Sequence, residues 1–268
     1  MATPAITRTR NGRALLNVGC GKVFSTHWTN IDLAPLPPHV LGVDLRERLP
    51  FPDDCFDGIY SSHVLEHFSP DAGASLVREM VRCLVPAGVC RLVVPDLEAS
   101  CREYLAQLDA TASDGSARAV RRHEWALVNL VDQFVRERSG GRVRSLIVAG
   151  TIDEEYVRRT SGDELVDEVR ADEAQRRAQV RKAAPFRRLL DRVRDDPRRT
   201  GELHRWAYDR VSLRQLMEAC GLVSVHVTTF DSSSIPDWDH HALDSDESGC
   251  SRKRGSLFME GRKPAGQE

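Results

Sequence analysis

Residues able to do chemistry gather at a few points of this 268-residue chain. Asn17-Val18-Gly19-Cys20-Gly21 closes an apolar run. Glycines at such a turn let a ligand approach the backbone, and the amides that follow point toward it. Asp32 ends the next run, where a carboxylate accepts both hydroxyls of a ribose, and Asp44-Leu45 ends the third. One glycine pair is common in turns. Three successive run ends with ligand-competent groups are far harder to obtain by chance, because an open parallel sheet binds ligands at its carboxyl edge.

His63-Val64-Leu65-Glu66-His67 follows the fourth run and spells H-x-x-E-H. The metallopeptidases of that spelling need a helix that aims both histidines at zinc, whereas His63 stands at a strand-to-helix junction. A divalent ion and simple local hydrogen bonding are the other readings; with no fourth ligand visible, no metal is assigned. Pro95-Asp96 ends the fifth run, so Asp96 either orients or deprotonates a substrate hydroxyl or caps the next helix. Further on, His204 is a candidate base and Tyr208 a candidate substrate contact, against the plainer reading that aromatic residues there pack. The loop from Ile235 to Ser248 is too long for a simple hairpin; its acids and histidines have mixed spacing, which favours a solvated functional loop over a cation site.

The elements that must position these groups alternate. Strand-type runs at 14–19, 29–33, 40–45, 56–62 and 90–95 are separated by turns or helices, the pattern of a parallel sheet. Ser69-Pro70 opens a helix through Leu76, Met80, Val81 and Leu84, which Pro86 and Gly88 stop. Later, Ser212 with Gln215 reads as a capping box, Gly221 closes that helix, and strands follow at 224–230 and 256–262. From Leu97 to Leu203 the periodicity is helical, with 144–150 the one strand-like stretch. A helix at 116–138 would bury a face of Val120, Leu127, Val128, Val131, Phe134 and Val135, and the charged stretch 152–182, with Leu165, Val166, Val169 and Val180 as its apolar anchors, reads as an exposed helical pair or a partly mobile lid.

Taken together, LLNVGCGKV, NIDL, VDLRERLPFPDDCFDGIYSSHVLEHF and LVREMVRCLVPAGVCRLVVPDLE resemble the core of class I S-adenosylmethionine (SAM)-dependent methyltransferases. The resemblance is dense over 14–98, loose over 204–268, and does not cover the middle. It implies an α/β, Rossmann-like, seven-stranded, mostly parallel sheet whose last strand is antiparallel, with a helical insertion after the fifth strand. It also implies SAM as cofactor, held by Val18, Gly19, Cys20, Gly21, Asp32, Leu33, Asp44, Leu45, Ser62 and His63. Asn17 stands where the family carries an acid. The interval from Gly19 to Asp32 is too short for a full crossover helix, so a tight connection through Phe24 to Trp28 is expected. Methyl transfer from a sulfonium chiefly requires alignment and exclusion of water. A hydroxyl nucleophile would add the need for a base, with His67, Asp96 and His204 as candidates in that order.

Composition agrees with a globular, soluble protein: 41% hydrophobic and 29% charged residues, with a net charge of -2, fit neither a disordered chain nor a strongly basic nucleic-acid binder. The middle third holds 22 Lys+Arg against 17 Asp+Glu, interspersed, so the pairs Arg187-Arg188 and Arg198-Arg199 read as solvated helix faces and nucleic acid is disfavoured as a partner. Seven cysteines without a C-x-x-C pair indicate a reducing compartment. No apolar leader or membrane span is evident, so the expected location is the cytoplasm. The expected division is a SAM-binding core, 1–97 and 204–268, and a helical insertion, 98–203, acting as substrate cap. The expected activity is O- or N-methylation of a polar small molecule, a saccharide or natural-product intermediate. The alternatives are a catalytically silent SAM-fold protein with a partner-binding insertion and a nucleic-acid methyltransferase. The oligomeric state is left open, a homodimer included.

Overall fold

Crossovers of very unequal length build the sheet. The computed structural model describes residues 4–182, 197, 201–241 and 243–266; Arg187, Arg188, Arg198 and Arg199 lie outside these. Strands β1 (Leu15–Val18), β2 (Thr29–Asp32), β3 (Val40–Gly42), β4 (Phe56–Ser62) and β5 (Leu84–Pro95) are parallel, while β7 (Ser256–Arg262) runs antiparallel between β5 and β6 (Val223–Thr228). The order across the sheet is β3-β2-β1-β4-β5-β7-β6. No helix joins β1 to β2; hydrogen-bonded turns at Cys20 to Val23 and Ser25 to Trp28 make the connection. Helix α1 (Pro70–Cys83) begins at Pro70 as expected, but the chain enters β5 at Leu84, with Pro86 and Ala87 exposed and Gly88 buried inside that strand.

Alternation along the strands makes two cores. Leu16, Val18, Ile31, Ile59, Leu92 and Met259 face α1 and a later helix, Arg210–Ala219, which contributes Leu213 and Met217. Leu15, Tyr60, Val89, Val93 and Phe258 face the other way. Because the first two crossovers carry no helices, that second face is covered by Trp28 and by Ile235, Trp238 and Leu243 of the segment between β6 and β7. The expectation of a solvated loop there is therefore corrected: its apolar side chains are needed to cover the sheet, and Asp244 is buried with them.

Asp244 is tolerated because Arg91 of β5 is fully buried beside it. The guanidinium donates to Asp244 and Glu260 at 2.9 Å and to the carbonyls of Thr229 and Ser232, and it lies 4.6 Å from the Trp238 ring centroid. Tyr60, opposite Arg91 in the β4–β5 register, donates its hydroxyl to Asp244 at 2.6 Å, and burial beside that carboxylate raises its pKa well above the ordinary range.

The chain divides into two compact units, 1–96 with 206–251 and 256–268, and 97–205 with 252–255. In the second, the described helices are α2 (Leu97–Asp114), α3 (Ala117–Val135), α4 (Gly141–Ala149), α5 (Glu154–Ser161) and α6 (Asp163–Lys182). The helix Arg210–Ala219 of the first unit is α7. The strand-like stretch 144–150 falls in α4, where Leu146 and Ile147 are buried by helical spacing. The expected face of α3 is also corrected. Of the expected residues Val128 is buried, whereas Val120, Leu127, Val131, Phe134 and Val135 are exposed; the helix buries Trp125 beside Val128 in a core with Val143, Ile147, Tyr156, Val157 and Val166. Val166 is buried and Leu165 and Val169 half-buried, while the Val180 side chain lies outside the described residues. The N-cap of α7 is Asp209, which reciprocates with Ser212, so the capping box starts three residues earlier than the Ser212-Gln215 spelling suggests.

Candidate functional site

Four neighbouring strands end on one edge. Val18 is in register with Ile31 of β2 and Ser61 of β4, Asp32 with Gly42 of β3, and Ser62 with Val93 of β5. The candidate cofactor residues of β1, β2, β3 and β4 therefore share the carboxyl edge. Gly19 and Gly21 hold φ of +67° and +52°, and a Cβ on Gly19 would fall 2.3 Å from Val64 Cγ2. Nothing lies within 4 Å of the Cβ position of Gly21, so the backbone is open there.

The amides of this turn are not directed as the sequence suggested. Gly19 and Cys20 both donate to the Ile31 carbonyl, and Gly21 donates to Asp32 Oδ2 at 2.8 Å. The short connection to β2 folds the turn back onto that strand and satisfies its donors internally. Asp32 Oδ1 accepts the Ala34 amide at 2.9 Å. Each Asp32 oxygen has a further lone pair, so the carboxylate both ties the turn and keeps acceptor capacity for a diol. Cys20 is buried, and burial together with the Asp32 charge pushes its thiol up to about 12.

Asp44 lies two residues past the end of β3, paired with Arg46, whose Nε donates at 2.8 Å. Those hydrogen bonds hold its carboxyl down at about 2. Leu33 is exposed and Leu45 half-buried. Asn17 is buried, with its amide nitrogen donating to the Val23 carbonyl at 3.1 Å, so it braces the tight connection from beneath.

Beyond β4 the chain turns sharply. His63 adopts φ +54°, its amide donating to the Val93 carbonyl, and Leu65–His67 forms one 3-10 turn. His63 Nε2 is 2.8 Å from Ser256 Oγ and Nδ1 is 3.4 Å from Glu66 Oε1. His67 is half-buried at the end of the turn. The Trp206 amide donates to the Glu66 carbonyl, and Asp96 forms a parallel bridge with Tyr208, so the returning chain runs along this edge. The Tyr208 ring is buried in the main core, its hydroxyl 3.2 Å from the Cβ position of Gly73 in α1. Burial, with the Glu66 charge nearby, pushes that phenol up to about 12. Tyr208 thus packs in the core, as the plainer of its two readings has it. His204 belongs to the helical unit, where its amide donates to the Gln133 carbonyl and its ring stands edge-on to Phe134.

Sequence reasoning missed Ser256 and gave Glu66 no role of its own. Ser256 is 193 positions from His63 and carries no local signal, since only the β5–β7 pairing brings it to the edge.

Residues 34–92 match the family model described as "Methyltransferase domain". No curated protein matches the chain. Solved structures similar to it include a putative methyltransferase in complex with the Trm112 methyltransferase activator from Haloferax volcanii, at 14% identity over 99% of this chain and 86% of that one, with a TM-score of 0.41. A SAM-dependent methyltransferase from Archaeoglobus fulgidus is 11% identical over 96% and 86%, with a TM-score of 0.40. The YcgJ protein of Bacillus subtilis is 14% identical over 97% and 94%, with a TM-score of 0.37. Among the described residues no helix is long and apolar enough to cross a membrane.

Proposed function

We propose that this chain, whose residues 34–92 match a methyltransferase-domain model, is a SAM-dependent enzyme that transfers a methyl group to an oxygen or nitrogen of a polar small molecule, a saccharide or natural-product intermediate. One observation carries the reading: ligand-competent groups end four adjacent parallel strands, with an open left-handed glycine turn beside a carboxylate that keeps acceptor capacity. These residues fit the cofactor. Asp32 would hold the ribose hydroxyls, Asp44 and Leu45 the adenine side, and the open backbone at Gly21 the methionine side. When bound, SAM supplies an electrophilic methyl on a sulfonium, whose leaving group needs no proton; the protein's task is alignment and dryness.

The helical insertion 98–203 serves as the substrate cap in this reading, because the helical unit, 97–205 with 252–255, leaves the sheet directly after Asp96 at the end of β5 and the chain returns before Tyr208. The exposed apolar residues of α3 favour the rival reading of a silent, partner-binding protein; the retained Asp32 and Asp44 favour catalysis. Titration calorimetry with S-adenosylhomocysteine on the full chain separates the two outcomes for the cofactor: saturable one-site binding is expected, and no binding defeats the proposal.

A further inference from the structure

His63 has a polar contact at each ring nitrogen. The Glu66 carboxylate, 1% exposed, faces Nδ1 at 3.4 Å, and Ser256 Oγ sits at 2.8 Å from Nε2. A carboxylate favours the proton on the ring nitrogen it faces; with the hydrogen on Nδ1, Nε2 has a lone pair for the serine hydroxyl. The backbone over-determines this pose. His63 is left-handed at φ +54°, with its amide bonded to Val93, and such conformations in non-glycine residues persist where surrounding structure enforces them and gather at functional sites. Ser256 pairs with Pro95 in the β5–β7 register, which places it beside the end of β5, next to Asp96. All of these residues belong to the sheet unit.

We propose that His63 is the general base of the site, positioned by Glu66 and reached through Ser256, and that the acceptor it serves is a hydroxyl. The inference rests on the methyl-transfer reading and narrows its acceptor class. A neutral amine attacks with its own lone pair, whereas an alcohol must shed a proton as its bond to carbon forms. The acceptor oxygen bonds the methyl carbon as the carbon–sulfur bond breaks and its electron pair leaves with sulfur. The acceptor proton passes to Ser256 Oγ while the serine proton passes to His63 Nε2. A methyl ether, a neutral thioether and an imidazolium facing Glu66 result, so the positive charge that began on sulfur ends on His63.

Nitrogen-detected NMR of the full chain saturated with S-adenosylhomocysteine reads the histidine tautomers directly. His63 is expected as the Nδ1–H form. Glu66→Gln should raise the Nε2–H population several-fold, and Ser256→Ala should shift the Nε2 resonance while leaving the tautomer unchanged. An Nε2–H form in the unsubstituted protein, or a Glu66→Gln spectrum with the same tautomer ratio, overturns the proposal. In parallel, methyl-tritiated SAM is offered with methyl glucoside, catechol and butylamine as acceptor probes. Label entering a hydroxyl probe and falling about 100-fold in His63→Gln is expected; label entering only the amine overturns it. If no probe is labelled, the tautomer result decides. Failure of the unsubstituted chain to bind S-adenosylhomocysteine defeats the methyl-transfer reading itself, whatever the tautomer.

Discussion

At Gly19 two costs coincide: a left-handed backbone at φ +67° and a Val64 methyl 2.3 Å from where a side chain would begin. Gly19→Ala is expected to destabilise the protein by about 1–3 kcal/mol in urea unfolding. Adding Val64→Ala should remove the steric share and leave about 1 kcal/mol of left-handed cost; no recovery would mean the turn is limited by its backbone alone. Asp32 has a mixed role, because its oxygens hold the Gly21 and Ala34 amides as well as facing the ligand edge. Losing a hydrogen bond to a charged partner costs about 1.5–3 kcal/mol, so Asp32→Ala should weaken S-adenosylhomocysteine about ten-fold or more. Unchanged affinity in a folded Asp32→Ala protein, read by calorimetry, would remove Asp32 from the cofactor site.

Among the elements, the segment between β6 and β7 departs furthest from its appearance in the sequence. It carries Trp238 and Asp244 onto a sheet face that lacks helices, and Arg91 joins Asp244 to Glu260 underneath. Two buried carboxylates face one guanidinium, so removing the cation leaves charge without compensation. Arg91→Met should therefore cost about 3–5 kcal/mol in denaturant midpoint experiments. Arg91→Met combined with Glu260→Gln should be less damaging than the two single losses added, since they share one network. Strict additivity would show that the groups do not act together.

On the scale of the whole molecule, burial of ionisable groups sets an alkaline limit. The Cys20 and Cys83 thiols are pushed from 9.0 up to about 12, chiefly by desolvation, Tyr208 from 10.0 to about 12, and Cys90 higher still. The folded state holds these protons more tightly than the unfolded chain. Their contribution to stability is complete below pH 9 and is lost as pH rises through about 12. Melting temperatures at pH 8, 10 and 11 should fall in that order, and Cys83→Ala should flatten the fall; a flat profile in the unsubstituted protein would contradict the burial. The bridge between Asp96 and Tyr208 also brings the two ends of the helical unit together. Replacing residues 98–205 by a short glycine linker should preserve S-adenosylhomocysteine binding and abolish methyl transfer. Undiminished transfer would rule out the cap.

The position of each strand along the chain was legible because alternation and terminal polar groups are local properties. Asp32 ends β2 as its sequence indicates, and FDGIYSS and SLFMEGR are strands to the residue. The short first crossover was legible from chain length alone, since the residues between Gly19 and Asp32 cannot hold a helix and a strand. Its consequence was not: with helices missing on one face, a distant loop had to become core, and the turn amides folded inward onto Ile31 and Asp32. The buried face of α3 was misread because an amphipathic helix with apolar residues on more than one side leaves the choice of face to its neighbours, here α4, α5 and α6. Ser256 joined His63 only through the antiparallel β5–β7 register. Local patterning determines which elements form and where their ends carry polar groups; pairing across nearly two hundred residues decides which of those groups meet, because that depends on non-local packing and register.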